Sequence, residues 1–385
     1  MTVIIESIKV ADLAEAVAAA STSLPSRPNP PIMGALLIET DQNASTLTLS
    51  SYDYDQASRA TVTAAAVEAD ARIAVSGKLL GQVVKVAPKR EPLVLDVSPS
   101  VLTIRAGKTE FTLPLMDVED YPNLPTVDGE DTLAGRVDST ELIDAIARAG
   151  VAAEKSSDAN TVRNCISIVA EEGRVLSVTA LHSKMVATTM VDWEPEGDLD
   201  VRIVADELSS VLRAFTDGQI TIRTKGGLVG LSGAVGDDLR VTSTVSVFDM
   251  PYPDWPKLFA MDFATAVDVG DDFAEAVRRA SVVADTALLR LAITAGSIGL
   301  SVDGALVDEV APLGFDGEPV KFNVNPEALR QLLAVVGDKV RLRFAGVPTK
   351  PMHLGPIEGG PDARAPLSDG GTQCVLMGIR DVQTP

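Results

Sequence analysis

One arrangement of apolar and polar positions occurs three times along the chain. Leu13-Ala14-Glu15-Ala16-Val17, Leu142-Ile143-Asp144-Ala145-Ile146 and Phe273-Ala274-Glu275-Ala276-Val277 all read apolar-x-acidic-Ala-apolar. Apolar residues at i and i+4 share one face of a helix, so each copy predicts one. Asp12, Ser139 and Asp271 stand where helix starts are expected. Each third carries a second helical pattern. These run from Val75 through Ala87 and stop at Pro88, from Val204 through Phe215 and stop at Asp217-Gly218, and from Val324-Asn325-Pro326 through Val336 and stop at Gly337-Asp338.

Between the helices lie short runs of period two. Leu47–Ser50, Leu176–Thr179 and Ile298–Ser301 look equivalent, as do Leu102–Ile104, Ile220–Ile222 and Val340–Phe344. Alternation with β-branched residues predicts half-buried antiparallel strands. Proline-rich linkers recur as well, at Asp120-Tyr121-Pro122-Asn123-Leu124-Pro125 and Pro251-Tyr252-Pro253-Asp254-Trp255-Pro256. The period of about 130 residues predicts three repeated α+β domains, at 1–130, 131–258 and 259–385, each with two helices on antiparallel sheet.

Composition changes this picture little. The chain has 385 residues, 46% of them hydrophobic and only 4% aromatic, so Ala, Val and Leu build the core. No apolar run approaches the roughly 18–20 residues of a membrane helix. The first residues lack a basic start and a long apolar block, so a cytoplasmic location is expected. Cys165 and Cys374 are expected to be buried thiols.

Charge changes it more. The net charge is −21, which repels nucleic acid at long range. Yet Val75–Arg90 holds Lys78, Lys85, Lys89 and Arg90 and no acid. Lys78 and Lys85 fall on one side of the predicted helix, opposite Leu79, Leu80, Val83 and Val84. Arg148, Arg213, Arg278, Arg279 and Arg330 recur in other helical segments. One reading is a solvated helix face. The other is that repeats curving around one axis sum these cations into a phosphate-facing strip with no base readout.

Catalytic patterns do not emerge. The two histidines, His182 and His353, lie outside any Gly-x-Ser-x-Gly elbow. There is no phosphate-binding glycine loop and no metal-spaced Cys/His cluster. Asp53, Asp55, Asp237-Asp238 and Asp271-Asp272 read as loop or capping residues. The expectation is no catalytic residue, no metal and no cofactor.

Longer motifs point to a family. Ser26-Arg27-Pro28-Asn29-Pro30-Pro31-Ile32-Met33-Gly34-Ala35-Leu36-Leu37-Ile38 resembles the Arg-Pro-x-x-Pro-Ile-Leu-x-x-Leu-Leu block of the bacterial DNA polymerase III sliding clamp, the β subunit. The two proline linkers, Phe248–Pro256, Gly317–Pro326 and Val375–Arg380 are similar to the same family, in the same order across the chain. The likeness is greatest to actinobacterial members, chromosomal or phage-encoded. It implies a head-to-tail homodimer, a ring of six domains around double-stranded DNA, with helices lining the hole. The partners it implies are the replicative polymerase, the clamp loader and other proteins carrying a clamp-binding motif. The place it implies is the cytoplasm, at the nucleoid. A clamp-fold adaptor that binds peptides without encircling DNA is the alternative.

The resemblance also assigns residues. Arg27 takes the place of a DNA-contacting arginine, supported by Lys78, Lys85, Lys89 and Arg90, with Arg148 and Arg213 on the helices of the middle domain. Phe111 and Leu113 match one side of the subunit joint; Val282 and Val283 match the other, and Asp308 and Glu309 face Lys78 across it. A pocket for a linear peptide is matched by Val162, Thr179, Pro253, Lys257, Leu258, Val375, Met377, Ile379 and Arg380, with Met352 and Leu354 adding to its wall. The chain departs from the family at Ala180–Lys184, at Ala328 in place of a gating tyrosine, and at Gly378. Residues 355–371, rich in Gly, Pro and Asp, read as a mobile loop.

Overall fold

The repeated helices form where their apolar spacing places them. A computed structural model describes residues 3–89, 91–155, 161–171, 174–236, 238–284, 287–347, 350–357 and 371–379. Its α-helices are α1 (Val10–Ala20), α2 (Gly77–Val86), α3 (Ser139–Gly150), α4 (Ala205–Leu212), the single-turn α5 (Pro256–Phe259), α6 (Asp271–Val283) and α7 (Pro326–Val336). Their starts differ from expectation by a residue or two, for local reasons. α2 begins after Ser76 because Val75 and Ser76 finish the strand Ala71–Ser76; the Ser76 hydroxyl then accepts the Leu79 N–H at 3.4 Å. Asp138, not Ser139, caps α3, its carboxylate accepting the Thr140 and Glu141 N–H groups at 2.9 and 3.1 Å. α7 matches expectation, with the Asn325 side chain accepting from Ala328 N–H and Pro326 in the first turn. Asp12 and Asp271 lie inside the first turns of α1 and α6, where a negative charge meets the positive helix end.

The chain packs as two compact units. The first takes Met1–Ile143, Trp193–Leu199 and Asp206–Phe248; the second takes Asp144–Asp192, Asp200–Ala205 and Asp249–Pro385. Their borders fall inside the second sequence repeat, because compactness follows continuous sheets and the repeat follows helix order.

In the first unit, one antiparallel sheet runs Ala66–Val67, Val3–Lys9, Pro92–Val97, Val101–Ala106, Thr109–Met116. A longer one runs from the end of Thr109–Met116 through Ala71–Ser76, Ala35–Asp41, Thr46–Tyr52 and Gln56–Thr63. It continues through Leu239–Ser246, Leu228–Val235, Gln219–Lys225 and Leu133–Asp138 to the end of Met185–Pro195. Gln56–Thr63 and Leu239–Ser246 pair over seven residues, so the first repeat and part of the second share a ladder. Buried hydroxyls stitch that seam: Ser58 lies 2.8 Å from Ser23 and Thr22 and 3.3 Å from Ser243, so each buried hydroxyl finds a partner. α1 and α2 pack together above the sheet, burying Leu13, Ala16, Val17, Leu80, Val83 and Val84.

In the second unit the long antiparallel sheet runs Asp200–Val204, Cys165–Ala170, Val175–Leu181 and the start of Met185–Pro195. It continues through Thr372–Leu376, Met352–Pro356, Val340–Phe344, Thr265–Val269 and Gly314–Gly317. A four-stranded sheet runs Leu306–Val310, Ile298–Val302, Leu289–Ile293, Val320–Val324. α6 and α7 pack on each other; α7 lies over Met352–Pro356 and Thr372–Leu376. Cys165 and Cys374 are both buried here.

Candidate functional site

The long sheet of the second unit has one face under helix and one under the proline linker. Register sets which side chains meet the linker. Leu181 pairs with Val186, Val186 with Val375, Val375 with His353, His353 with Arg343, and Arg343 with Ala266. Directly paired residues share a face, so these six form one row across the sheet.

The start of the row is apolar. Leu181, Val186 and Val375 pack with Trp255 and Phe259, and Tyr252 and Leu258 lean on the same cluster. Prolines hold the linker extended, and α5 turns Phe259 back toward the sheet, edge-on to Trp255 with ring centroids 5.5 Å apart. The Tyr252 hydroxyl donates to the carbonyls of Thr179 and Cys165 at 3.2 and 3.3 Å. Burial pushes that phenol well above its ordinary range. Thr179 and Thr188 share a buried hydroxyl hydrogen bond of 2.7 Å. At the rim, Lys257 bridges to Asp254 at 2.5 Å, which raises the lysine.

The other end of the row is polar. Arg343, 7% exposed, donates from Nη1 to His353 Nδ1 at 3.1 Å. Burial and the Arg343 charge lower His353 to about 3, against a weaker opposing pull from Gln373. The neutral ring therefore accepts at Nδ1. Phe259 and Phe263 flank the imidazole at 5.5 and 5.6 Å. Next to Arg343, Arg341 grips Asp268 with two hydrogen bonds of 2.7 and 2.9 Å. Gly355 leaves room here for the Gln373 side chain: a Cβ would sit 2.2 Å from the Gln373 amide oxygen, which would have to move. A cavity of about 700 Å³ opens over this end, lined by Phe259, Phe263, Phe315, Asp268, Arg341 and Arg343 among others.

Of the residues expected in the pocket, Leu258 and Val375 join the apolar cluster, and Thr179 lies beneath Tyr252. Pro253 and Lys257 are exposed on the linker. Val162 is half-buried in the turn before Cys165. Met377 and Ile379 run on from the last strand, fastened by N–H bonds to the carbonyls of Lys184 and Asn323 at 2.7 and 2.9 Å. Arg380 lies outside the described residues, as does most of 355–371. Met352 and Leu354 do not add to the wall. They are fully buried on the opposite face, under α7, because each is one residue out of phase with His353. His353, Tyr252, Trp255 and Phe259 were missed. A signal existed: in a chain with so few aromatics, four of them fall between 252 and 263. His182 is a turn residue whose Nδ1 accepts the Lys184 N–H at 3.0 Å.

The basic residues separate into two kinds. Arg27, Lys78, Lys85, Lys89 and Arg148 are exposed and have no ion-pair partner among the described residues. Lys78 and Lys85 point away from the apolar side of α2. Arg213 is exposed at the end of α4; it donates to the Ser210 hydroxyl, which donates to the Thr22 carbonyl, both at 2.7 Å. That chain anchors Arg213 beside the segment leading to Arg27. Arg90 lies outside the described residues. By contrast Arg278 pairs with Glu275, Arg330 with Glu327 and Arg279 with Asp308, at 2.5–2.6 Å. These three arginines, expected to extend the basic strip, carry their own counter-charges.

Each unit also presents an edge strand. In the second unit, Leu306–Val310 ends the four-stranded sheet, with Val307 90% exposed; Val282 and Val283 of the adjoining α6 are 74% and 43% exposed. In the first unit, Thr109–Met116 ends its sheet with Phe111 half-buried. Leu113, expected beside Phe111 at the subunit joint, is two residues on and on the same face of the strand, but it is 1% exposed and is buried within its own unit.

The family model described as DNA polymerase III beta subunit, N-terminal domain, matches residues 4–125. A beta sliding clamp of Streptomyces coelicolor is 30% identical over 355 residues, covering 89% of this chain and 91% of that protein. A beta sliding clamp of Micrococcus luteus is 29% identical, covering 78% of this chain and 96% of its own length. The crystal structure of the DNA polymerase III beta subunit of Thermotoga maritima superposes with a TM-score of 0.83 at 23% identity, covering 98% of this chain and 100% of that one, a likeness of fold.

Proposed function

This chain belongs to the beta sliding clamp family of DNA polymerase III, and from that premise we propose how its own residues carry the role. It is a DNA sliding clamp of actinobacterial type, built from helices on antiparallel sheets. In our reading two copies close head to tail into a ring of six domains, three per chain at 1–130, 131–258 and 259–385, around duplex DNA. The ring tethers the replicative polymerase, accepts the clamp loader and works in the cytoplasm at the nucleoid, without an active site or cofactor of its own.

Exposed cations without counter-charges, on a chain of net charge −21, are the observation that favours enclosure of DNA over an adaptor role. Arg27, Lys78, Lys85, Lys89, Arg90, Arg148 and Arg213 meet phosphates weakly and without reading bases. Topology then supplies the residence time that those weak interactions lack, so the ring slides. Phe111 on one protomer meets Val282, Val283 and the Leu306–Val310 edge on the other, a heterologous joint that closes by strand addition. The surface built on Tyr252, Trp255, Leu258 and Phe259, which pack on Leu181, Val186 and Val375, seats a short linear peptide of the polymerase and of other partners.

The test is retention on circular DNA. Loaded onto a nicked circle, the protein stays bound through gel filtration at moderate salt, and linearising the circle releases it. Equal loss from circular and linear DNA favours the adaptor.

A further inference from the structure

Four carboxylates meet at one corner of the first unit, and no cation pairs with them among the described residues. Asp53 and Asp55 lie in the turn between the strands Thr46–Tyr52 and Gln56–Thr63, and Asp206 and Glu207 open α4. Hydrogen bonds tie the helix to the hairpin. The Ser210 hydroxyl donates to the Thr22 carbonyl, and the Thr22 hydroxyl lies 2.8 Å from that of Ser58 on the second strand. Glu207 stands three residues before Ser210 on the same helix face, so it is turned toward this hairpin. A carboxylate in the first turn of a helix is ordinarily held low. Glu207 is instead pushed up to about 7, by burial and then by Asp55, Asp53 and Asp206. Two more groups stand at the corner. Gln56, 9% exposed, donates from Nε2 to Asp53 at 3.0 Å, and its Oε1 accepts nothing among the described residues. The Tyr54 ring is 54% exposed, its centroid 5.3 Å from that of Tyr52.

We propose that this corner is a docking site for a basic segment of a partner protein, with one arginine lying over the Tyr54 ring and its guanidinium between Asp55 and Glu207. The ligand class follows from the groups present. Ionised carboxylates and an amide oxygen only accept, and a guanidinium only donates, through five N–H groups. The face of an aromatic ring attracts the same cation. The repeat supports the placement. Tyr52 pairs with Ala57 as Leu181 pairs with Val186 one repeat later, and Leu181 and Val186 belong to the apolar cluster of the second unit. The two corners share a hairpin register but differ in charge: Asp53-Tyr54-Asp55 fills the turn in one, His182-Ser183-Lys184 in the other. They therefore select different partner segments, and an acidic one is turned away here. Binding at this corner is separable from the apolar surface, because a basic probe needs no apolar anchor.

The test uses the full chain in calorimetry at low salt. The probes are acetyl-Arg-Gly-Arg-amide, its citrulline counterpart, which keeps the shape and loses the charge, and magnesium chloride. At pH 8 the arginine peptide is expected to bind about tenfold more tightly than the citrulline peptide. That preference is lost in Asp55→Asn/Glu207→Gln. It is kept in Asp192→Asn/Glu194→Gln, which removes as many acids elsewhere on the surface. At pH 7 the arginine peptide drives protons off Glu207, so the measured heat varies with the ionisation heat of the buffer; Glu207→Gln abolishes that variation. Tyr54→Gly weakens the peptide several-fold without lowering the unfolding midpoint, because the positive φ of 78° at this position suits glycine. Equal binding of the two peptides, or equal loss of the preference in both double variants, overturns the site. Magnesium binding that Asp55→Asn/Glu207→Gln abolishes, with no preference for the arginine peptide, makes the corner a metal site and overturns the guanidinium.

Discussion

The Tyr252 hydroxyl reaches the Thr179 carbonyl at 3.2 Å, pinning the proline linker to the sheet of the second unit. The first unit repeats the device more loosely: Tyr121 lies 3.5 Å from the Ser50 carbonyl. Tyr252→Phe deletes a donor shared by two buried carbonyls, those of Thr179 and Cys165. The expected cost is about 1 kcal/mol in urea unfolding, with peptide capture weakened because Trp255 and Phe259 ride on the same linker. A variant with wild-type stability and wild-type peptide binding refutes the pinning role.

His353 makes stability depend on pH. Its folded-state value, about 3, lies below its ordinary 6.5, so between those limits the unfolded chain binds more protons. Stability is full above pH 6.5 and is lost as pH falls toward 3. From pH 6.5 to 5 the loss is about 2 kcal/mol, at 1.4 kcal/mol per pH unit per proton. His353→Leu removes this slope and leaves that of the carboxylates. Denaturant titrations of both proteins at pH 7 and pH 5 check it; parallel losses exclude His353 as the source.

Glu207 slopes the other way. Burial and the nearby Asp55, Asp53 and Asp206 raise it to about 7. Between 4.5 and 7 the folded chain holds the extra proton, so stability falls as pH rises through this window. Glu207→Gln is expected to gain about 1 kcal/mol over the parent at pH 8 and nothing at pH 4, by urea unfolding. A gain independent of pH contradicts the assignment.

The exposed cations yield a salt test. Changing Arg27, Lys78 and Lys85 together to Ala leaves folding untouched, because none has an ion-pair partner among the described residues. DNA retention falls, and the slope of log K against log salt shrinks by about 0.9 for each phosphate that the variant no longer neutralises. An unchanged slope means that these residues do not face phosphate.

The helices were readable because i, i+4 spacing survives any tertiary context, and the three copies at 13, 142 and 273 all became helix. The pocket was readable only in part. Met352-His353-Leu354 alternates apolar, polar, apolar, and sequence alone favours the apolar pair as pocket wall. Which face α7 covers decides otherwise, and that depends on strand order far away in the chain. Arg278, Arg279 and Arg330 show the same limit. Arginine three residues after an acid on a helix pairs with it, a spacing visible at 275–278 and 327–330, whereas the Arg279 partner, Asp308, lies on another element.

The subunit joint is testable on one exposed side chain. Val307 lies on an edge strand whose outer backbone groups have no ladder partner among the described residues, and it is 90% exposed. Sheet edges that stay in water usually carry charge or proline; this one presents Leu306 and Val307 before Asp308 and Glu309. The apolar half suits burial against Phe111 of a second copy. Asp308 is already held by Arg279, so the acidic half adds less to the joint than the sequence suggested. Val307→Lys is therefore expected to yield folded monomers by light scattering, with an unchanged far-ultraviolet spectrum, because nothing inside its own protomer buries this residue. Phe111→Asp is expected to do the same from the opposite side. Mixing the two variants is expected to restore a dimer through one intact joint, wild-type Phe111 against wild-type Val307, while the other joint carries both substitutions. If Val307→Lys keeps the mass of the parent dimer, the edge strand is not where the subunits meet.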